Sequence, residues 1–208
     1  MGSPPTHDGR VDVATLFRRT VAVWQRTLAG VQADQWSHPT PCTEWDVRAL
    51  VNHVVGEECW VGPLLAGRTI AEVGSRFDGD VLGDDPVGRG EDLARASVIA
   101  VDAALIDGLR VHLSYGDEEA GEYLLQVATD HLIHGWDLAA ATGQDRAMQP
   151  DLLEQVAEWF AGREEMYRSG GAIGPRAPMT GDPHTDLLAA FGRDAAWRAP
   201  TAHVSENV

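Results

Sequence analysis

Apolar residues recur at helical spacing along most of this chain, and the positions between them are polar. Val13, Leu16, Phe17, Thr20, Val23, Trp24, Thr27, Leu28 and Val31 form one such stripe, with Arg18, Arg19, Gln25 and Arg26 between them. That pattern predicts an amphipathic helix over 12–32. Two prolines within 38–42 make a connection. Asp46 then caps a second helix to about 66, with Val47, Leu50, Val51, Val54 and Val55 inward and Gly67 closing it. The stretch 68–90, rich in Gly and Asp and containing Pro86, reads as a long loop. A third helix is expected over 91–108, and 111–115 is ambiguous, with an extended segment as one reading. A fourth runs over 118–142 to Gly143 and a fifth over 151–168. A Gly/Pro-rich loop over 169–183 then leads to a short helix over 185–191. No repeat and no series of hairpin signals interrupts the helices, so the expected fold is an all-α bundle. The domain plan is a tail over 1–10, one helical domain over 11–197, and a second tail over 198–208.

Composition narrows the chemistry. Among 208 residues there are 16 basic and 32 acidic side chains, a formal net charge of −16, and every basic residue is arginine. Without lysine there is no Schiff base, no lysine-anchored pyridoxal phosphate and no Walker-type phosphate loop. An acidic surface disfavours nucleic acid and anionic membranes as partners and favours cations. No run of apolar residues is long enough to span a bilayer, and 1–10 has no apolar signal core, so a cytoplasmic protein is expected. Cys42 and Cys59 are the only cysteines, and ordinary reduced thiols are the expectation.

The candidate chemistry lies in Asp130-His131-Leu132-Ile133-His134-Gly135-Trp136-Asp137. Asp130 and His134 stand four apart, about 40° around a helix, so both can converge on one point. A carboxylate and an imidazole on adjacent turns are two of the three protein ligands that an open divalent-metal site needs. The third must come from another helix, and His53, centred in an apolar stretch, is the candidate. Spacing alone leaves solvated-face or core readings open for all three. Glu57, one turn beyond His53, is placed to ligate, to accept a proton or to orient that imidazole. His131 points about 100° away from Asp130 and is not expected to share its ion. Trp60 and Trp136, one or two turns away, either line a pocket or simply pack. G-x-S-x-G and H-E-x-x-H are absent.

Thr40-Pro41-Cys42-Thr43-Glu44-Trp45-Asp46-Val47-Arg48-Ala49-Leu50-Val51-Asn52-His53-Val54-Val55-Gly56 resembles the signature of the DinB-like superfamily. The closer branch is the actinobacterial metal-binding proteins related to the N-terminal domain of mycothiol-dependent maleylpyruvate isomerase. His134-Gly135-Trp136-Asp137-Leu138 and the closing Asp186-Leu187-Leu188-Ala189-Ala190-Phe191-Gly192-Arg193-Asp194 are similar to further segments of that branch. The resemblance implies a DinB-like four-helix bundle with additional short C-terminal helices and a divalent metal, zinc or nickel, between helices. It carries the ligand set of two histidines and a glutamate onto His53, His134 and Asp130. Aspartate is one methylene shorter than glutamate and must approach the ion more closely or bind it less tightly. The chain is also expected to end without room for the isomerase's further C-terminal domain.

The resulting expectation is a metal-dependent transferase or isomerase that activates a low-molecular-weight thiol such as mycothiol against a small-molecule substrate, with Glu57 as proton acceptor. The alternatives are a metal-water hydrolase and a non-catalytic bundle that binds a metal or small molecule. Related bundles occur as monomers and dimers.

Overall fold

The computed structural model describes residues 11–171 and 173–200; the expected tail over 1–10 and the residues 201–208 of the second tail lie outside these. Four long helices make the bundle: α1 (Val13–Ala29), α2 (Val47–Leu65), α4 (Pro86–Ala103) and α5 (Ala120–Thr142). Each of α1 and α2 packs against both α4 and α5. A short helix α3 (Ile70–Val73) and a 3₁₀ turn (Gly74–Phe77) lie between α2 and α4, and α6 (Pro150–Ala161), α7 (Glu164–Ser169) and α8 (Pro183–Ala190) follow α5. The all-α, DinB-like bundle with extra C-terminal helices is therefore observed.

Local chemistry sets the helix ends. Asp12 and Asp46 cap α1 and α2, their carboxylates accepting from the backbone N–H groups of Thr15 and Ala49 at 2.9 and 2.8 Å. Gly143 ends α5 in the left-handed conformation at φ 73°, where a side chain would be strained.

Three expectations are corrected. Pro86 does not sit in a loop but opens α4 at its first position, where its missing N–H costs nothing, while Asp85 accepts from Gly88 N–H at 3.0 Å. The helix consequently starts before Glu91 and ends at Ala103. The segment after it is an antiparallel hairpin, β1 (Arg110–Leu113) paired with β2 (Gly116–Glu119), and α5 starts only at Ala120. Its alternation is weak because Val111 alone among these strand residues is buried. Finally, the helix expected over 151–168 breaks at Gly162 into α6 and α7.

The core surrounds the middle of α5. One apolar cluster gathers Phe17, Val61, Leu64, Val101, Leu124 and Val127 at one end of the bundle, and another gathers Trp24, Leu28, Leu50, Val54, Val55 and Leu138 at the other. A third cluster, with Leu132, Ile133, Trp136, Val156, Phe160 and Leu188, seals the outer face of α5 under α6 and α8. Every residue of α5 from His131 to Ala141 is buried, so an unpaired polar group there is costly, whereas Asp130 keeps 38% of its side chain exposed.

Candidate metal centre

His53 is held on α2 and Asp130 and His134 on α5, and one ligand atom from each lies within 4.8 Å of the others. The structure thus brings the three expected ligands together. His53 Nε2 stands 3.8 Å from Asp130 Oδ2, and the two imidazole rings meet edge-on with centroids 5.1 Å apart. All three residues line a cavity of about 620 Å³ whose other walls include Cys42, Trp45, Ile133, Tyr167, Phe191 and Arg193. The Trp45 ring lies 4.8 Å from the His53 ring and 5.7 Å from the His134 ring, covering both imidazoles.

His134 Nδ1 donates to Asp137 Oδ2 at 3.0 Å in its neutral form, which leaves Nε2 with the lone pair that a metal needs. Asp137 is fully buried, and the Arg193 guanidinium balances it, with Nη2 donating to Oδ2 at 2.8 Å. Burial pushes the Asp137 carboxyl up, but the hydrogen bond from His134 and the charge of Arg193 outweigh it and leave it below the ordinary value. Asp130 follows the same balance: burial raises it, and the His53 contact with the neighbouring imidazoles lowers it further than that. Burial lowers His53, yet the carboxylates of Asp130 and Glu57 bring its proton affinity above the usual histidine value.

A second trio, Cys42, His134 and Asp137, also has its ligand atoms within 4.8 Å. It is a poor metal site, because Arg193 Nη2 already lies 2.8 Å from both Cys42 Sγ and Asp137 Oδ2. Burial, with the Asp137 charge, pushes the Cys42 thiol up, so it is no ready thiolate. Both cysteines are free.

Glu57 does not line the main cavity. It lines a smaller one of about 110 Å³ that shares Asp130, Tyr167 and Phe191 with it, and burial together with the Asp130 charge raises its carboxyl. Its neighbour Glu58 turns into the core and meets His131, Oε1 to Nε2 at 3.0 Å, with both side chains fully buried. His131 therefore faces away from the triad, as its angle on the helix required. Trp60 packs edge-on against Phe77 and Trp136 lies in the core beneath Arg146; neither lines the main cavity.

Sequence reasoning missed Trp45, Asp137 and Arg193 as parts of this centre. Asp137 had a signal, being three residues after His134 on a buried helix. Arg193 had a subtler one in Gly192, which adopts φ 74° and where a Cβ would meet the Pro175 carbonyl at 3.1 Å. Only glycine turns the chain so closely there, and that turn brings the guanidinium back to the site.

The geometry can be set beside known proteins. Two uncharacterized proteins of Mycobacterium tuberculosis, from strains CDC 1551 / Oshkosh and ATCC 25618 / H37Rv, are each 32% identical over 191 residues, covering 87% of this chain and 97% of theirs. The crystal structure of the mycothiol-dependent maleylpyruvate isomerase is similar in fold, with a TM-score of 0.59 at 17% identity, over 88% of this chain and 89% of that one. The model of the mycothiol maleylpyruvate isomerase N-terminal domain matches residues 17–139, which include His53, Asp130, His134 and Asp137. On this match the chain belongs to the mycothiol maleylpyruvate isomerase N-terminal domain family, within the DinB-like fold.

Proposed function

We propose that this protein is a metal-dependent enzyme that takes mycothiol, or a low-molecular-weight thiol of that kind, as co-substrate in a transferase or isomerase reaction. The observation that carries this reading is the convergence of His53, Asp130 and His134 on one point in the wall of a cavity large enough for small molecules. Two imidazoles and a carboxylate suit zinc or nickel, and three protein ligands leave a position for an outside group. When bound, such an ion supplies the positive charge that lets a thiol ionise at neutral pH, which no lysine here could do.

The chain's own residues do the rest. Asp137 fixes the tautomer and the angle of His134, and Arg193 keeps that buried carboxylate ionised. Trp45, Ile133 and Phe191 exclude water from the imidazole side of the cavity. Glu57, whose raised carboxyl lies nearer neutrality than an exposed glutamate, serves as proton acceptor from the adjoining cavity. Free Cys42 and Cys59 suit a reducing, cytoplasmic setting.

The test combines elemental analysis with a thiol titration. Wild-type protein should carry one divalent ion per chain, and His53→Ala and His134→Ala should carry almost none. Full metal stoichiometry in those variants would show the site to be elsewhere. Turnover should saturate with added mycothiol; a rate independent of thiol would point to hydrolysis instead.

A further inference from the structure

Glu57 and the thiol of the proposed reaction stand in different compartments. Glu57 lines the cavity of about 110 Å³ and not the larger one of about 620 Å³ that opens on the triad. A proton released beside the triad must therefore cross the wall between the two before it reaches the Glu57 carboxylate. Three residues line both cavities and make that wall: Asp130, Tyr167 and Phe191. Phe191 has no exchangeable proton. Asp130 faces His53 as a member of the triad, where it serves as a ligand rather than a carrier. Tyr167 brings a hydroxyl, which can accept one proton while giving up another.

The surroundings suit that role. Tyr167 stands on α7 with its ring edge-on to Trp159 and Phe160, centroids 6.2 and 5.6 Å away. Among the described residues no hydrogen bond engages its hydroxyl or the Glu57 carboxylate. Other polar groups around the smaller cavity are taken. The Gln126 amide pairs with the Tyr115 hydroxyl, Thr129 donates to the Leu125 carbonyl at 2.7 Å, and Trp159 Nε1 donates to Glu122. The Tyr123 hydroxyl, in contrast, is buried without a partner among the described residues. A buried hydroxyl in that state is costly unless water meets it. A polar cavity of this size has room for several water molecules, and Tyr123, Tyr167 and Glu57 offer them the partners they need.

We propose that Tyr167 carries the proton of the reaction out of the main cavity, and that the smaller cavity is a water-filled relay chamber leading it to Glu57. This rests on the thiol reading and deepens it. The thiol S–H bond breaks with its electron pair left on sulfur. The Tyr167 oxygen takes up a proton as its own proton leaves into the chamber, and waters ordered by Tyr123 hand one on to a Glu57 carboxylate oxygen. The thiol becomes a thiolate and Glu57 a neutral acid, with no oxidant or reductant consumed.

Tyr167→Phe tests this, because it removes the hydroxyl and keeps the ring against Trp159 and Phe160. The zinc-loaded full chain is mixed with mycothiol in a stopped-flow cell, and thiolate formation is followed by its ultraviolet absorbance. In the variant the rate should fall about tenfold or more. Final amplitude, zinc content and melting temperature should be unchanged, since a relay sets the speed of proton transfer and not its equilibrium. Glu57→Gln should slow the same phase, and the double variant should be no slower than the slower single one, because both act on one path. Losses that multiply, or an unchanged rate in Tyr167→Phe, would overturn the relay. A lowered amplitude with a lowered melting temperature would also overturn it, by showing a packing role. A high-resolution crystal structure of the metal-free protein gives a readout that needs no thiol: waters should join the Tyr167 hydroxyl to Tyr123 and Glu57. A chamber without that chain would overturn the proposal. Wild type that forms no thiolate while the water chain is present would sink the thiol reading and uphold the chamber.

Discussion

His131 and His134 stand three residues apart on α5, and each imidazole meets a carboxylate at 3.0 Å, yet the two pairs belong to different worlds. The Glu58–His131 pair is sealed, with both side chains fully buried and the Phe17 ring edge-on at 5.6 Å. Burial pushes the Glu58 carboxyl up despite its imidazole partner. The His134–Asp137 pair has a third member, Arg193, and one edge of its imidazole opens on the cavity. The same two functional groups make a tie between α2 and α5 in the first case and the support of a candidate ligand in the second. Access and the third partner make that difference, not the residue types.

The comparison can be broken first at the open pair. His134→Ala is expected to lose the metal and at least about a hundredfold of metal-dependent turnover, with thermal stability near that of metal-free wild type. Elemental analysis and a melting curve check this; retained metal would refute the assignment. At the sealed pair the expected effect moves to stability. Glu58→Ala strands a buried imidazole and should cost about 3–5 kcal/mol in urea unfolding, while the folded fraction keeps its metal. Replacing both members with leucine should recover most of that loss, since two apolar groups leave nothing unpaired. No recovery would mean the pair does more than tie two helices.

A smaller effect is expected one step from the ion. Arg193→Ala leaves Asp137 without its counter-charge and should weaken metal affinity by about 10–100-fold, measured by competition with a chelator. An unchanged affinity would reduce Arg193 to packing. The smallest effect is a pH slope. Because His53 holds its proton above the ordinary 6.5, its attraction to Asp130 favours the metal-free fold at low pH and is lost as pH rises through the raised value. Metal binding must displace that proton, so affinity should rise by up to about tenfold per pH unit below that value and then level off. His53→Gln should flatten the slope, and a slope that survives it would belong to another group.

The helices and two of the three candidate ligands were legible because both follow local periodicity. Asp46 as a cap, Gly143 as a stop and the i, i+4 relation of Asp130 to His134 are properties of a few neighbouring residues. His53 was legible only as an odd polar residue on an apolar stretch, with the resemblance pointing to its role. Pro86 misled because proline reads equally as a breaker and as a first helical residue, and only the Asp85 cap decides which. The hairpin at 110–119 was obscured because its polar residues leave almost no alternation to read.

What the sequence by itself determined is the helical framework, the exclusion of lysine chemistry and the pairing of Asp130 with His134 along one helix, all set by short-range geometry and composition. The tertiary structure alone decided that Cys42, Trp45 and Arg193, from segments up to 151 residues apart, meet at His134. It also decided that adjacent Glu57 and Glu58 part company, one toward a cavity and one into the core. The physical reason is that burial and charge partners depend on which helices pack together, and one residue's step around α2 is enough to exchange a wet wall for a dry interior.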